Sequence, residues 1–386
     1  MLQVLAITNY RSIRDLVIPL GPLTVITGAN GVGKSNVYRA LRLLANTARG
    51  GAVAAIAREG GLNSVLWAGP ETISRAMRAG QVPVQGGPRK DVVRLQLGFA
   101  GEDFSYGIDF GLPVPSRSAF RHDPQVRSET LWHGPVWRPA STLIERKGAV
   151  VTRRGDEQTP VLTSALAPHE CMLSELADPE RTPEVLVVRE FVRAWRFYDH
   201  IRTDPEAPAR RTQIGTRTTA LGHDGADVAA ALQTIFEIGD GEAVDEAIDD
   251  AFPGSRLRVT NENGLFSLSF QQPGLLRTLD QSELSDGTLR YFAMVAALMS
   301  PRPPPLLVLN EPETSLHPDL LPALGRLIIR ASRECQVWVV THASRLVAAL
   351  EDHELTESIA LEKDLGETQI RGLRELDKPP WRWPTR

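Results

Sequence analysis

The chain is poor in cysteine: Cys171 and Cys335 are the only two in 386 residues. They lie far apart and lack the paired spacing of a metal site, which excludes a disulfide framework and a structural zinc and leaves both as expected buried thiols. Long hydrophobic runs are missing as well. No stretch approaches the roughly 18–20 apolar residues that a membrane span requires. The opening MLQVLAITNYRSIRDL alternates like a strand, without the basic-then-apolar order of an export signal. Both absences point to a cytoplasmic protein with no membrane partner. Nor is there an excess of one charge. A formal net charge of -4 excludes a general polyanion binder, so contact with nucleic acid has to come from a local patch. The basic residues are nearly all Arg; Arg forks phosphate better than Lys, although a GC-rich genome produces the same bias. No stretch sustains three heptads, which excludes a long coiled coil.

What is present is an ordinary globular composition. With 42% apolar residues the chain can bury a core large enough for one big domain or for one domain inserted in another. LQVLAITNY and GPLTVITG read as two strands, the second running into a Gly-rich turn and then KSNVYRALRLLANTA, apolar at Val37, Leu41 and Leu44. Short alternating runs from about 91 to 155 read as antiparallel strands. From about 165 to 252 the pattern turns helical. Val185, Val188, Val192 and Trp195 share one face; a second helix starts at a cap on Asp224; a third carries Val244, Ile248 and Phe252 before Pro253 and Gly254 stop it. The acidic run Asp245, Glu246, Asp249 and Asp250 reads as the wet face of that third helix. Strands return at 256–272, followed by a helix after Ser285, a strand at 305–310, a helix near 319–333, the strand QVWVVTH, another helix and a hairpin. The expected organisation is an N-terminal part over residues 1–165, a helical insertion or lid over 166–255, a C-terminal part over 256–372 and an irregular tail over 373–386. The tail KPPWRWPTR is too rich in Pro to be regular and is expected as a packed or loose end.

Two stretches carry chemistry. GANGVGKS, Gly28 to Ser35, fits G-x-x-x-x-G-K-S/T between a strand and a helix. Its glycines let successive backbone N–H groups curl around phosphate oxygens, Lys34 reaches the outer phosphates, and the Ser35 hydroxyl can ligate magnesium. The second is LLVLNEPETSLHP, residues 306–318. A nucleotide-hydrolysing strand usually ends in an Asp that holds magnesium and a Glu that activates water; here the amide Asn310 stands in place of the first acid and the second is Glu311. Either the catalytic pair is damaged, or an amide does the first job. About twenty residues upstream stands ELSDGTLRYFAMVAALM, where Ser285 and Gly287 begin an amphipathic helix. That start is a plain cap or a set of hydroxyl and backbone donors for an anion. His342 closes the strand VWVVTH, as a satisfied polar end or as a phosphate sensor.

In their order, GANGVGKS, LSDGT, LLVLNEPETSLHP and VWVVTHAS resemble the Walker A, signature, Walker B with D-loop, and switch-histidine motifs of ABC-type P-loop ATPases. ITNYRSIRD and LNEPETSLHP look most like the RecF-like, structural-maintenance-of-chromosomes and overcoming-lysogenization-defect branch. The match covers roughly the first 70 and the last 110 residues. The resemblance implies an α/β fold, a P-loop NTPase with an ABC-type head, a mixed central sheet, an antiparallel β-subdomain and a helical insertion. It further implies a homodimer that sandwiches two ATP molecules with Mg2+. Gly28, Asn30, Gly31, Gly33, Lys34, Ser35 and Asn36 then hold the nucleotide, with Arg11 as a further contact. Ser285, Asp286 and Gly287 reach the partner's ATP, Ser35 and Asn310 serve the metal, Glu311 polarises the attacking water, and His342 senses the γ-phosphate. Ser315 to His317 fall at the D-loop. No Gln stands convincingly at the Q-loop; Gln81, Gln85 and Gln96 lie in the right region without a telling context.

In this architecture the Walker B acid mostly holds waters around magnesium, so the Asn310 amide oxygen can accept the same hydrogen bonds while lacking the charge. The expectation is a slow but competent ATPase, DNA-associated and acting in repair or genome defence. The Arg-bearing stretches RSAFRHDPQVR and RTDPEAPARRTQIGTR are candidate DNA patches or plain solvated loops. An ATP-gated switch acting on a separate effector protein is the alternative. A transporter motor fits poorly, because about 250 residues separate the phosphate loop from the signature stretch. Only 44 residues follow His342, with no acidic cluster suited to two metals, so the chain alone is not expected to cut DNA.

Overall fold

The computed structural model describes residues 1–86, 94–113, 117–120, 122–155, 159–199 and 201–384. The chain divides into two compact units, one of Met1–Gly21, Gly28–Ala194 and Ile359–Arg386, the other of Pro22–Thr27 and Trp195–Ser358. The dividing point at 194/195 falls inside the stretch read from sequence as a helical insertion.

The first unit is built on an eight-stranded sheet. Its strands, in spatial order, are Ile13–Pro19, Leu2–Tyr10, Leu95–Gly101, Phe104–Gly111, Gln125–His133, Thr142–Lys147, Val150–Arg153 and Val161–Thr163. Every neighbouring pair is antiparallel, as the alternating runs predict; residues 91–93, 114–116 and 121 of that expectation lie outside the described residues. The Lys34–Thr47 helix buries Val37, Leu41 and Leu44, the positions its 3.6-residue period selects. A fully buried ion pair ties the middle strands to the segment that follows them. Glu129 accepts from Arg146 Nη1 at 2.7 Å, from the Tyr106 hydroxyl at 2.6 Å and from the Met172 N–H at 2.7 and 2.8 Å. Such a pair is tolerable in a core only when its oxygens and guanidinium find partners, and removing one member costs about 3–5 kcal/mol. The tail is a packed end: Trp381 lies on the sheet where Gly98 leaves room, since an added Cβ would meet its ring at 2.7 Å. Its ring centroid is 5.6 Å from that of Trp132.

The second unit carries four parallel strands in the order Arg196–Tyr198, Leu306–Asn310, Gln336–Val340 and Leu23–Thr27. Residues Leu306–Leu309 and all of Gln336–Val340 are buried, the continuous apolar signature of a parallel strand covered on both faces. Its core draws on the helices Val228–Ile238, Gly241–Ala251, Asp286–Leu298, Leu321–Ser332 and Ser344–Glu351. Beside them lies a small antiparallel sheet built on the hairpin of Arg256–Glu262 and Leu265–Gln271, to which Gln213–Ile214 and Leu279–Asp280 add short strands.

Two local expectations are corrected. Trp195 is not on the Pro183–Arg193 helix, because the chain straightens there and Arg196–Tyr198 joins the parallel sheet; burial in the sheet overrides the helical spacing. The Val228–Ile238 helix begins after Asp227, not at Asp224. Asp224 Oδ1 instead accepts from the Ala226 N–H, and Asp227 Oδ1 from the Gly222 N–H, so both acids shape the turn before the helix. The acidic run of Gly241–Ala251 lies on a wet face as read, with Asp245 paired to Arg258 at 2.6 Å and Asp250 to Arg326 at 2.7 Å at the surface. Both cysteines are free thiols, Cys171 buried and Cys335 only half-buried; burial pushes the Cys335 thiol up to about 11.

Candidate functional site

The phosphate loop belongs to the first unit. Gly28, Gly31 and Gly33 all have positive φ, at 139°, 81° and 113°, which an L side chain resists. At Gly33 space is also short: a Cβ there would lie 2.1 Å from Thr368 Oγ1 and 2.9 Å from Ser12 Oγ. Gly33 caps the Lys34–Thr47 helix without a side-chain acceptor, and the first turn holds no acid. The positive end of the helix dipole and its free donors are thus left for an anion. Lys34 is buried and donates to the carbonyls of Gly28 at 2.6 Å and Ala29 at 3.1 Å. Ser35, Asn30 and Gly31 are exposed.

Behind the loop lies a brace that sequence reasoning missed. Thr368 Oγ1 donates to the Val32 carbonyl at 2.7 Å and lies 2.6 Å from Ser12 Oγ, while the Thr368 N–H bonds the Ser12 carbonyl at 2.8 Å. Asn36 Nδ2 donates to the same Ser12 hydroxyl at 2.8 Å. Asn36, expected at the nucleotide, here braces the loop. Arg11 has a left-handed φ of 52° and grips Glu59 Oε2 at 2.6 and 3.1 Å; the Tyr10 hydroxyl reaches the same oxygen at 2.8 Å. Ser12 stood inside the quoted ITNYRSIRD, whereas nothing local marks Glu59 or Thr368.

The acid turn belongs to the second unit. Asn310 ends its strand opposite Val340, and the Glu311 N–H bonds the Val340 carbonyl at 2.8 Å. Glu311 and Ser315 take φ of 49° and 66°. Six non-glycine residues among those described have positive φ, and four of them, Asn9, Arg11, Glu311 and Ser315, lie in the quoted motifs. Strain of this kind persists where surrounding structure enforces it, commonly at working sites. His342 is half exposed, its Nδ1 3.7 Å from Glu311 Oε1 and 3.3 Å from Glu313 Oε1. Glu313 is the residue that the motif reading passed over, although it stands in the quoted NEPE. Its Oε1 also accepts from Thr341 Oγ1 at 2.6 Å and from the His342 N–H at 3.1 Å. Asn310 Oδ1 and Glu313 Oε2 are both buried without a hydrogen-bond partner.

The signature stretch lies in the same unit. Ser285 Oγ caps its helix, accepting from the Thr288 N–H at 3.1 Å, so the capping role is realised. Asp286 pairs with Arg210, whose Nη1 donates to the Leu284 carbonyl at 2.6 Å. Just before them, Arg277 grips Glu283 and holds its carboxyl down to about 2. Gly287 packs on the turn, since a Cβ would meet the Ser315 carbonyl oxygen at 2.6 Å. Arg290, on the same helix, donates to the Glu311 carbonyl at 3.3 Å. His317 is exposed and caps the next turn through Nδ1, accepting from the Asp319 N–H at 3.3 Å.

Among the described residues no group of three or more His, Cys, Asp or Glu could hold a metal. A nucleotide-bound cation needs fewer protein ligands, because phosphates and waters complete its shell. The exposed Ser35 hydroxyl and the partnerless Asn310 Oδ1 each have the donor chemistry for that kind of ion. Arg121 of the first Arg-bearing stretch lies outside the described residues, and in the second Arg210 is engaged with the signature stretch while Arg211 pairs with Glu206. No helix among the described residues is long and apolar enough to cross a membrane.

Comparison with known proteins agrees with the motifs. Residues 1–67 match the family model of the AAA ATPase domain. Residues 174–348 match the model described as "AAA domain, putative AbiEii toxin, Type IV TA system". The OLD nuclease of Thermus scotoductus is 22% identical over 394 aligned residues, 98% of this chain and 65% of that protein. This chain therefore spans about two thirds of that relative's length. Among solved structures, the SMC head domain of Thermotoga maritima aligns over 97% of this chain and 99% of that one, with a TM-score of 0.48 and 14% identity. An Smc head domain from Pyrococcus furiosus, bound to the C-terminal domain of ScpA, aligns over 96% and 95%, with a TM-score of 0.48 and 14% identity.

Proposed function

We propose that this chain, an ABC-type P-loop ATPase of the AAA family on the RecF-like and overcoming-lysogenization-defect branch, binds ATP with Mg2+, hydrolyses it slowly, and pairs with a second copy through the bound nucleotide. The observation that carries the reading is the phosphate loop: three left-handed glycines, an uncapped helix start and a lysine already turned to the loop. Lys34 and the loop N–H groups hold the phosphates, and Ser35 and Asn310 serve the cation, which when bound neutralises phosphate charge. Glu311 orients and polarises the attacking water. His342, held at its backbone by Glu313, presents its ring toward the γ-phosphate. Ser285, Asp286 and Gly287 contact the nucleotide held by the other copy. The biological setting is a DNA-associated one, repair or genome defence, in keeping with the nuclease relative.

The deciding experiment is steady-state ATP hydrolysis with magnesium, with and without single- and double-stranded DNA, using Glu311→Gln as the blank. Glu311-dependent turnover that rises with DNA is the expected result. DNA binding by the ATP-bound protein has to weaken with salt, since phosphate contacts release counterions. Turnover equal to the blank in a protein that still binds ATP overturns the hydrolytic part and leaves a nucleotide-gated switch on a separate effector.

A further inference from the structure

We infer that Glu313 carries the negative charge that position 310 lacks, offering its second carboxylate oxygen to the waters of the nucleotide-bound cation while its first oxygen positions His342. The inference rests on the ATPase reading above. Glu313 is the more deeply buried acid of the turn, its side chain 7% exposed against 41% for Glu311. Its two oxygens are treated very differently. Oε1 is anchored by the Thr341 hydroxyl and the His342 N–H, the two residues just beyond Val340, which is Asn310's own ladder partner. Oε2 has no donor at all.

A buried carboxylate oxygen without a donor costs more than a neutral acceptor in the same position. The neighbouring cation, Arg290, attracts the Glu313 charge but gives Oε2 no hydrogen bond. Arg290 sends Nη1 to the Ile201 carbonyl and Nη2 to the Glu311 carbonyl, each at 3.3 Å, and its Nε is buried without a partner. The turn thus presents two acceptor oxygens, Asn310 Oδ1 and Glu313 Oε2, with no donor for either. Metal-bound waters are pure donors toward their surroundings, and they match such a pair. The amide oxygen can accept from them but brings no charge; the carboxylate brings the charge, and charge-assisted hydrogen bonds are roughly twice as strong. Glu313 is a positioning residue in this scheme, acting on His342 and through water.

The test is the magnesium dependence of binding of a fluorescent ATP analogue, measured beside its binding in EDTA. In Glu313→Gln, an isosteric change, the Mg2+ concentration for half-maximal binding is expected to rise about 10-fold, with binding in EDTA unchanged. Adding Asn310→Asp to Glu313→Gln returns the missing charge and is expected to restore the dependence. The inference is overturned if Glu313→Gln leaves the magnesium dependence as it was, or if the double variant does no better than Glu313→Gln. It is also overturned if binding falls equally with Mg2+ and in EDTA as the melting temperature drops, which marks Glu313 as a structural counter-ion of Arg290. A wild-type protein that binds the analogue in neither condition overturns the ATPase reading instead, and this inference with it.

Discussion

The phosphate loop and the acid turn solve opposite problems. Around the loop the side chains and the Val32 carbonyl are satisfied from within the chain, leaving only the helix-start donors open: Lys34 is met by two carbonyls, and Val32, Ser12, Asn36 and Thr368 by one another. The acid turn leaves two acceptors buried and unmet and holds two non-glycine residues in left-handed backbone. The loop is a finished cradle whose shape comes from glycine and a brace, while the turn's chemistry stays open toward donors that the chain does not provide. An anion site has to be rigid in its backbone, because N–H groups aim only where the backbone points. A site for a hydrated cation has to keep acceptors in reserve.

Four substitutions test this difference, and the largest effect belongs to the loop. Gly33→Ala places a Cβ 2.1 Å from Thr368 Oγ1 at a φ of 113°. It is expected to weaken binding of an ATP analogue by more than about 100-fold, read by titration calorimetry on a protein of unchanged helix content. Thr368→Val removes the bonds to the Val32 carbonyl and Ser12 hydroxyl while keeping the volume. A loss of about 10-fold in analogue affinity, with and without magnesium alike, is expected; an effect confined to the magnesium-loaded form would contradict the brace. Asn310→Asp acts on the turn and on magnesium alone. The cation concentration for half-maximal turnover should fall about 3- to 10-fold, and an unchanged value would deny position 310 any part in holding the ion.

The smallest effect lies at the signature stretch and depends on pH. Arg277 holds the Glu283 carboxyl at about 2, against an ordinary value of 4.5. A depressed acid adds stability above the unfolded value and loses it as pH falls toward the folded one. Wild type should therefore melt slightly above Glu283→Gln near neutrality and lose that margin as pH falls from 4.5 to 2. The pair is exposed, so the shift is small; equal acid profiles would show the pair to be energetically idle.

Much of the fold was legible. The antiparallel runs after Leu95, the parallel strands at 306–310 and 336–340, and the helix after Ser285 all follow from period-2 alternation, continuous apolar runs and a Ser cap. Legibility failed where two local signals competed. Trp195 continues a helical period yet stands beside a strand, because pairing in a parallel sheet that buries Phe197 and Tyr198 outweighs propensity. Asp224 reads as a cap but is spent, like Asp227, on the turn before the helix, which starts three residues later than read. At the site, Lys34, Glu311 and His342 stand out as candidates in the sequence because the loop and the strand end have fixed spacing. Glu313 was printed in the same stretch but carried no signal, since an acid two residues past another ordinarily faces solvent.

The sequence by itself determined the class of chemistry. Glycines at 28, 31 and 33 ahead of a lysine and a serine form one kind of cradle, and those constraints are local, needing only backbone geometry and neighbours in sequence. Tertiary structure alone decided how the cradle is braced and how the turn is charged. Thr368 meets Ser12 from 356 residues away, and Glu313 folds back onto Thr341 and His342 across 28 and 29 residues. Such contacts depend on which strands lie side by side and on what burial does to a hydrogen bond, and neither is written in the order of residues along a motif.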